Sequence, residues 1–215
     1  MKIVAISDTH GHTPDLPDGD ILIIAGDIFP IDNHDHHFQR RYLNARIIPW
    51  IKEHNFKHVL FVPGNHDFLC EIPGIYRVFE NQGIHFLVDR SQTIEGINFY
   101  GFPWVPNLEY WAFYAHDPMM VDKCDKIPMD TDILISHGPP INILDNKDMN
   151  YGCTHLAARL QRVLPMYHIF GHVHEGYGEI QLGDICFMNV SYLDDDYQIV
   201  DNREIQVFDY TKIVN

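Results

Sequence analysis

The sequence predicts an α/β fold, a largely parallel sheet covered by helices, and three observations predict it. Short apolar runs such as residues 2–7, 21–25 and 132–136 show no polar alternation, which is how strands buried on both faces read. Stretches of helical length or helical spacing fall between several of them. Each run also stops at a small or glycine residue and then displays Asp, Asn or His. In open parallel sheets ligands sit beyond the carboxyl ends of the strands, so these polar blocks are expected to converge on one rim.

The first expected strand, residues 2–7, ends in Asp8-Thr9-His10-Gly11. Asp8 and His10 are two apart and in extended geometry share a face. Pro14, Pro17 and Gly19 mark a loop before the second strand, 21–25, which stops at Gly26-Asp27. Residues 30–37 read as a polar loop leading into a helix from about Phe38 to His54, which Pro49 should kink or divide. His34, His36 and His37 invite a further metal site. Because unpaired histidines are usually exposed or half-exposed, a solvated loop or helix start is the expectation there.

The run 59–61 leads into Val62-Pro63-Gly64-Asn65-His66-Asp67, a glycine turn presenting an amide, an imidazole and a carboxylate. Residues 70–82 suit a short helix, and 85–102 a series of short strands with turns at Asp89-Arg90 and Glu95-Gly96. The aromatic stretch from Gly101 to Tyr114 has two readings, a cluster beneath a long loop or a platform for a ring-bearing substrate. Residues 132–136 form another buried strand, ending in His137-Gly138-Pro139-Pro140. Between 153 and 164 the apolar residues fall at helical spacing and belong to the core. Residues 167–170 lead to Gly171-His172-Val173-His174, and 177–208 to short strands and turns, with Asp194-Asp195-Asp196 as solvated charge.

The 215 residues suit one domain over 1–215 with a substantial core. A formal charge of −15 argues against polymeric nucleic acid and anionic lipid as partners. No apolar run approaches the ~20 residues that span a bilayer. Because residues from Lys2 onward read as the first strand, no signal peptide is expected, and the four cysteines lie far apart without Cys-x-x-Cys spacing. A reducing, cytoplasmic location is therefore the expectation.

Five blocks (Asp8/His10, Asp27, Asn65/His66, His137, His172/His174) follow strands directly. With His66 set aside as a proton donor, seven N/O ligands remain, too many for one cation and enough for two that share a carboxylate. Two divalent cations outweigh Asp8 and Asp27, so the loaded site is net positive and attracts phosphate even on an acidic protein. A metal pair ~3.5–4 Å apart can clamp the attacking and leaving oxygens of an in-line displacement and acidify a bridging water.

Asp8-x-His10, Gly26-Asp27, Gly64-Asn65-His66-Asp67, His137 and Gly171-His172-Val173-His174, in this order, resemble the calcineurin-like metallophosphoesterase superfamily. The resemblance implies a four-layer αββα sandwich, with the strands of 85–102 and 177–208 completing its second sheet. It implies one metal on Asp8, His10, Asp27 and His174, and a second on Asp27, Asn65, His137 and His172, bridged by Asp27. His66 matches the histidine that protonates the leaving group or stabilises the transition state. Ser136-His137-Gly138-Pro139-Pro140, the block from Gly171 to Gly178, and Gly101-Phe102-Pro103-Trp104 with Trp111-Ala112-Phe113 are similar to the metallophosphoesterase-domain-containing (239FB-like) group. That group is associated with hydrolysis of cyclic nucleotides and model phosphodiesters. Some of its members lack the first histidine of the Gly-His-x-His block; His172 is present here, which implies full two-metal occupancy.

Phosphoprotein phosphatases place an Asp three residues after Gly-Asp, followed by Arg-Gly. Pro30 stands at that position and no Arg follows, which leaves the partner of His66 unassigned. The expected activity is a dinuclear-metal phosphodiesterase acting on small phosphodiesters, cyclic nucleotides first, by attack of a metal-bridging hydroxide. The alternatives are a phosphomonoesterase or phosphoprotein phosphatase with the same metals, or a low-turnover metal-stabilised binding protein. Imidazole suits Zn, Fe and Ni, and the carboxylates with Asn65 also tolerate Mn. Metal affinity is expected to fall below the histidine reference of ~6.5.

Overall fold

Strand β1 (Lys2–Ile6) lies in the interior of a five-stranded sheet whose strands run as near-continuous apolar sequence. A computed structural model describes residues 1–145, 150–201 and 203–211. β2 (Ile21–Ile24), β3 (His58–Phe61) and β4 (Ile84–Phe86) follow β1 in parallel register, and β11 (Gln206–Asp209) closes the other edge antiparallel to β1. The second sheet has six strands in the order β5 (Arg90–Ile94), β6 (Ile97–Phe102), β7 (Ile133–Ser136), β8 (Tyr167–Phe170), β10 (Ile185–Asn189) and β9 (Gly178–Leu182). Its four central strands are parallel, with an antiparallel strand at each edge.

The two sheets pack face to face over Ile3, Ala5, Ile23 and Leu60 from one and Phe99, Ile135, Ile169 and Met188 from the other. On the outer face of the first sheet, Val4, Ile24 and Phe61 are covered by Leu43, Trp50 and Phe79 from its helices. On the outer face of the second, Leu134, Phe170 and Phe187 are covered by Met120 and Cys124 of α4 (Asp117–Asp125) and by Leu156 and Leu160 of α5 (Thr154–Val163). The fold is thus the αββα sandwich. Both faces of every central strand are buried, which is why those strands carry no polar alternation.

Three local features depart from the sequence reading. The helix expected over 38–54 divides into α1 (His36–Tyr42), a π-helical turn (Leu43–Ile47) and α2 (Ile48–Glu53). Pro49 cannot donate to a carbonyl four residues back, and the widened turn directly before it absorbs the missing bond. The helix expected over 70–82 becomes a 3₁₀ turn (Phe68–Glu71) and the single-turn α3 (Tyr76–Glu80), separated by Gly74 at φ 83°. Finally, β4 and β11 join the first sheet rather than completing the second, because strand pairing is decided by non-local register, which local pattern does not encode.

At the carboxyl end of β1 the two sheets meet. Ser7 N–H donates to Val190 O at 3.0 Å and Tyr192 N–H donates to Ser7 O at 2.9 Å. This stitch brings the end of β10 and the loop after it to the rim where the polar blocks converge.

Ile135 is fully buried in the layer between the sheets, whereas Ile180 on edge strand β9 is 39% exposed. Ile135→Ala is expected to lower unfolding stability by about 2–5 kcal/mol, and Ile180→Ala by about 1 kcal/mol or less. Urea unfolding of the two variants against wild type measures both.

Candidate dinuclear metal centre

Asp8, His10, Asp27 and His172 all adopt positive φ (52°, 42°, 55° and 70°) just past their strands. Left-handed backbone at a non-glycine residue costs of order 1–3 kcal/mol and persists only where its surroundings enforce it. Here it turns each side chain off the strand direction and over the end of the sheet. The glycines of the blocks serve close approach. A methyl group on Gly64 would collide with Asp27 Oδ1 and His137 Cε1, and one on Gly171 with Asp8 Oδ2 and Ser7 Oγ.

The side chains gather into three overlapping groups: Asp8, His10 and His174; His10, Asp27 and His66; and Asp8, Asp27 and His137. Within each group the candidate ligand atoms lie within 4.8 Å of one another. Asp27 Oδ2 lies 3.4 Å from His137 Nε2 and 3.9 Å from His10 Nε2, so one carboxylate faces two clusters. Asn65 Oδ1 stands 2.8 Å from His137 Nε2. His174 Nε2 is 3.5 Å from Asp8 Oδ1. His172 lies just outside the tight groups, with its ring 4.9 Å from that of His137. All seven sequence-predicted ligand residues and His66 thus meet on one rim.

Second contacts decide which atoms are presented. His137 Nδ1–H donates to Ala25 O at 3.0 Å and His174 Nδ1–H to Asp194 O at 2.7 Å, so both rings turn Nε2 toward the cluster. Asp8 Oδ2 accepts from Ser7 Oγ, Ser191 Oγ and the His172 amide at 2.5, 2.9 and 2.9 Å, while among the described residues Asp8 Oδ1 accepts no hydrogen bond and faces His174 Nε2 at 3.5 Å. Both ring nitrogens of buried His10 are likewise without a hydrogen bond. Polar atoms desolvated and left unpaired cost free energy, and here they point into the same small space. These donors fit a pair of divalent cations: oxygen and imidazole ligands, two clusters and one shared carboxylate.

The electrostatics of the cluster follow the same geometry. Burial raises the Asp27 pKa, but His137 and His66 beside it win and hold it well below the ordinary carboxylate value. Burial opposes protonation of His137, yet Asp27 raises it to about 9. His174 is raised to about 9 against the same burial by Asp8. His10 and His172, buried without so close a carboxylate, are pushed down to about 4 and about 3.

Several neighbours went unread in the sequence. His34, expected in a solvated loop, is half-buried and places Nε2 3.0 Å from His66 Nδ1, with its ring against Phe68 and Trp111. The Pro30 departure left a vacancy for such a residue, but nothing in a polar loop singles out position 34. Asp67 is not the partner of His66; its carboxylate accepts backbone N–H bonds from Gly64, Asp27 and Ile28 at 2.7–3.0 Å. Asp194 is more than solvated charge, since its carbonyl orients His174 and its carboxylate accepts from the Asp196 and Gln198 amides. The turn so formed sets the Tyr197 ring 4.9 Å from His10 and 5.5 Å from His174, on a residue that carried no local signal. The aromatic stretch divides. Ala112 and Phe113 are core, Trp104 gives its indole N–H to Asp89, and Trp111 alone reaches the site, 4.5 Å from His66.

Residues 1–176 match the calcineurin-like phosphoesterase family. Metallophosphoesterase domain-containing protein 1 of Homo sapiens is 31% identical, with 93% of this chain and 68% of the relative covered. A UPF0046 protein of Caenorhabditis elegans is 33% identical, with 93% of this chain and 72% of the relative covered. Among solved structures, the phosphopantetheinyl hydrolase of Mycobacterium tuberculosis superposes with a TM-score of 0.59 at 17% identity, covering 88% of each chain, a likeness of fold alone. Taken with the Asp27 carboxylate, which two of the three His/Asp clusters share, the chain belongs to the calcineurin-like phosphoesterases and is a metal-dependent phosphoesterase of the metallophosphoesterase-domain-containing group.

Proposed function

We propose that this phosphoesterase is a phosphodiesterase for small esters, cyclic nucleotides foremost, and that residues 1–215 act as one metallophosphoesterase domain. The observation that carries it is Asp27 Oδ2, set between His10 Nε2 and His137 Nε2 with a further ligand cluster on each side. In this reading Asp8, His10, Asp27 and His174 hold one cation, and Asp27, Asn65, His137 and His172 hold the other. When bound, the pair supplies Lewis acidity toward the phosphoryl oxygens and an acidified water.

The remaining work falls to the chain. His66 N–H donates from the backbone to Asp27 Oδ1 at 2.8 Å, which ties the position of this residue to the shared ligand. Its Nδ1 is engaged by His34, so Nε2 is the nitrogen left to serve the departing oxygen. Protonating that alkoxide matters most for a poor leaving group such as a ribose hydroxyl. The half-buried Trp111 beside His66 offers a flat apolar wall on the leaving-group side, which suits an ester carrying a base or aryl ring. A net charge of −15 favours small substrates over polymers, while the site itself attracts one phosphate locally. Among the described residues no helix is long and apolar enough to cross a membrane.

With Mn²⁺ supplied, bis-p-nitrophenyl phosphate and at least one 2′,3′- or 3′,5′-cyclic nucleotide are expected to be hydrolysed in preference to p-nitrophenyl phosphate. A strong monoester preference would transfer the assignment to a phosphatase, and no turnover of any activated diester would revive the binding-protein reading. His66→Ala should lower kcat about 10²–10⁴-fold on esters with poor leaving groups, much less on activated ones, and leave metal content intact. Equal loss on both classes removes the acid role.

Metal binding should depend on pH in a direction set by the two raised histidines. At pH 7 His137 and His174, each held at about 9, carry protons that a cation must displace, whereas His10 and His172 are already neutral. Apparent affinity therefore rises with pH through neutrality and levels off above about 9, a window higher than the ordinary histidine value suggests. Calorimetric titration of the metal-free protein at pH 7, in buffers of different ionisation enthalpy, should show protons released; an affinity constant from pH 6 to 9 contradicts it.

A further inference from the structure

We infer that His34 is the positioning residue for His66, an imidazole standing where a carboxylate partner would be expected, and that it accepts the Nδ1–H of His66 on its own Nε2. The inference rests on the reading of His66 as the group that serves the leaving oxygen.

The geometry is built rather than incidental. Asn33 Oδ1 accepts the Asp35 amide at 2.9 Å, and Asp35 Oδ1 caps α1 by accepting the Phe38 amide at 2.9 Å, so His34 sits on a turn pinned from both sides. One turn into α1, the fully buried Gln39 donates to His66 O at 2.7 Å and accepts from Leu69 N–H at 2.8 Å. The same short helix therefore holds the His66 backbone and, through His34, its ring. Phe68 and Trp111 flank the His34 ring at 4.9 and 5.2 Å between centroids, which restricts its rotation. Asp67 is already committed to backbone amides and cannot serve.

His66 donates Nδ1–H to His34 Nε2, which fixes the ring and turns its Nε2 toward the leaving oxygen, while His34 keeps its own proton on Nδ1. Burial and the neighbouring His66 both lower the His34 pKa, in keeping with that neutral state. A neutral acceptor orients the ring without holding the transferred proton back as a carboxylate would.

His34→Phe keeps a ring between Phe68 and Trp111 but removes the acceptor, and His34→Gln restores an acceptor at similar reach. The Phe variant is expected to lose about 10²-fold in kcat on diesters with poor leaving groups, with KM and metal content near wild type and much less loss on activated esters. The Gln variant should recover most of that loss. In long-range ¹H–¹⁵N spectra of the metal-free proteins, neutral His66 should be a single Nδ1–H tautomer in wild type and a mixture in His34→Phe. Wild-type kinetics in His34→Phe, equal loss on both ester classes, a Gln variant no better than Phe, or an unchanged tautomer would each overturn the inference. Run beside His66→Ala, the series separates two failures. Leaving-group dependence in His66→Ala but not in His34→Phe sinks the His34 role alone, and its absence from both sinks the reading of His66 as well.

Discussion

The buried carboxylate of Asp67 is the constraint on which the centre depends. It accepts backbone N–H bonds from Gly64 on its own turn and from Asp27 and Ile28 on the neighbouring one, with the Phe29 amide at 3.4 Å. Burial and the Asp27 carboxylate push its pKa up to about 7, and the amides of Gly64 and Asp27 pull against that rise. The outcome is a clamp between the turns that follow β2 and β3. It acts with the His66 amide, which donates to Asp27 Oδ1 at 2.8 Å, to hold the two turns against each other. Removing the Asp67 acceptor would leave the Gly64, Asp27 and Ile28 amides buried without the partner the fold gives them.

A second tie does the corresponding work for the other cation. Ser191, delivered by the stitch between β1 and β10, donates to Asp8 Oδ2, as do Ser7 and the His172 amide. Asp8 is thereby rotated until only Oδ1 remains for a ligand. One sheet supplies Asp8, His10, Asp27 and Asn65, and the other supplies His137, His172 and His174. The candidate ligands therefore lie on the seam between the sheets, above the core layer that includes Ile135 and Leu60.

Sequence pattern disclosed the parts of this arrangement that are local. Strands buried on both faces announce themselves as unbroken apolar runs, and the polar residues that end them are the ones that gather on one rim. For that reason Asp8, His10, Asp27, Asn65, His137, His172 and His174 were legible, and αββα followed from their resemblance to a family. What stayed hidden was set by tertiary neighbours. His34 lies in a loop with no periodicity, and only the placing of α1 against residues 66–69 turns it toward His66. Tyr197 reaches His10 through a turn built by Asp194, a residue whose composition reads as solvent-facing charge. The sheet membership of β4 and β11 depends on pairing across long separations, and α4 lies in a stretch whose apolar residues show no clear stripe.

Function and stability draw on the same unpaired atoms. Among the described residues both nitrogens of buried His10 receive no hydrogen bond and Asp8 Oδ1 has only the 3.5 Å contact with His174 Nε2, while Asp8, His10, Asp27 and His172 hold left-handed backbone. Both features oppose folding of the metal-free chain, and cations held by these donor atoms would relieve the first of them. A cation binding the folded but not the unfolded chain stabilises it by mass action, so occupancy is also folding free energy. The cluster is consequently kept by two requirements at once. A substitution that pairs these atoms internally would favour the metal-free fold, and it would do so by satisfying the very groups that draw metal, and with it phosphate, to the rim.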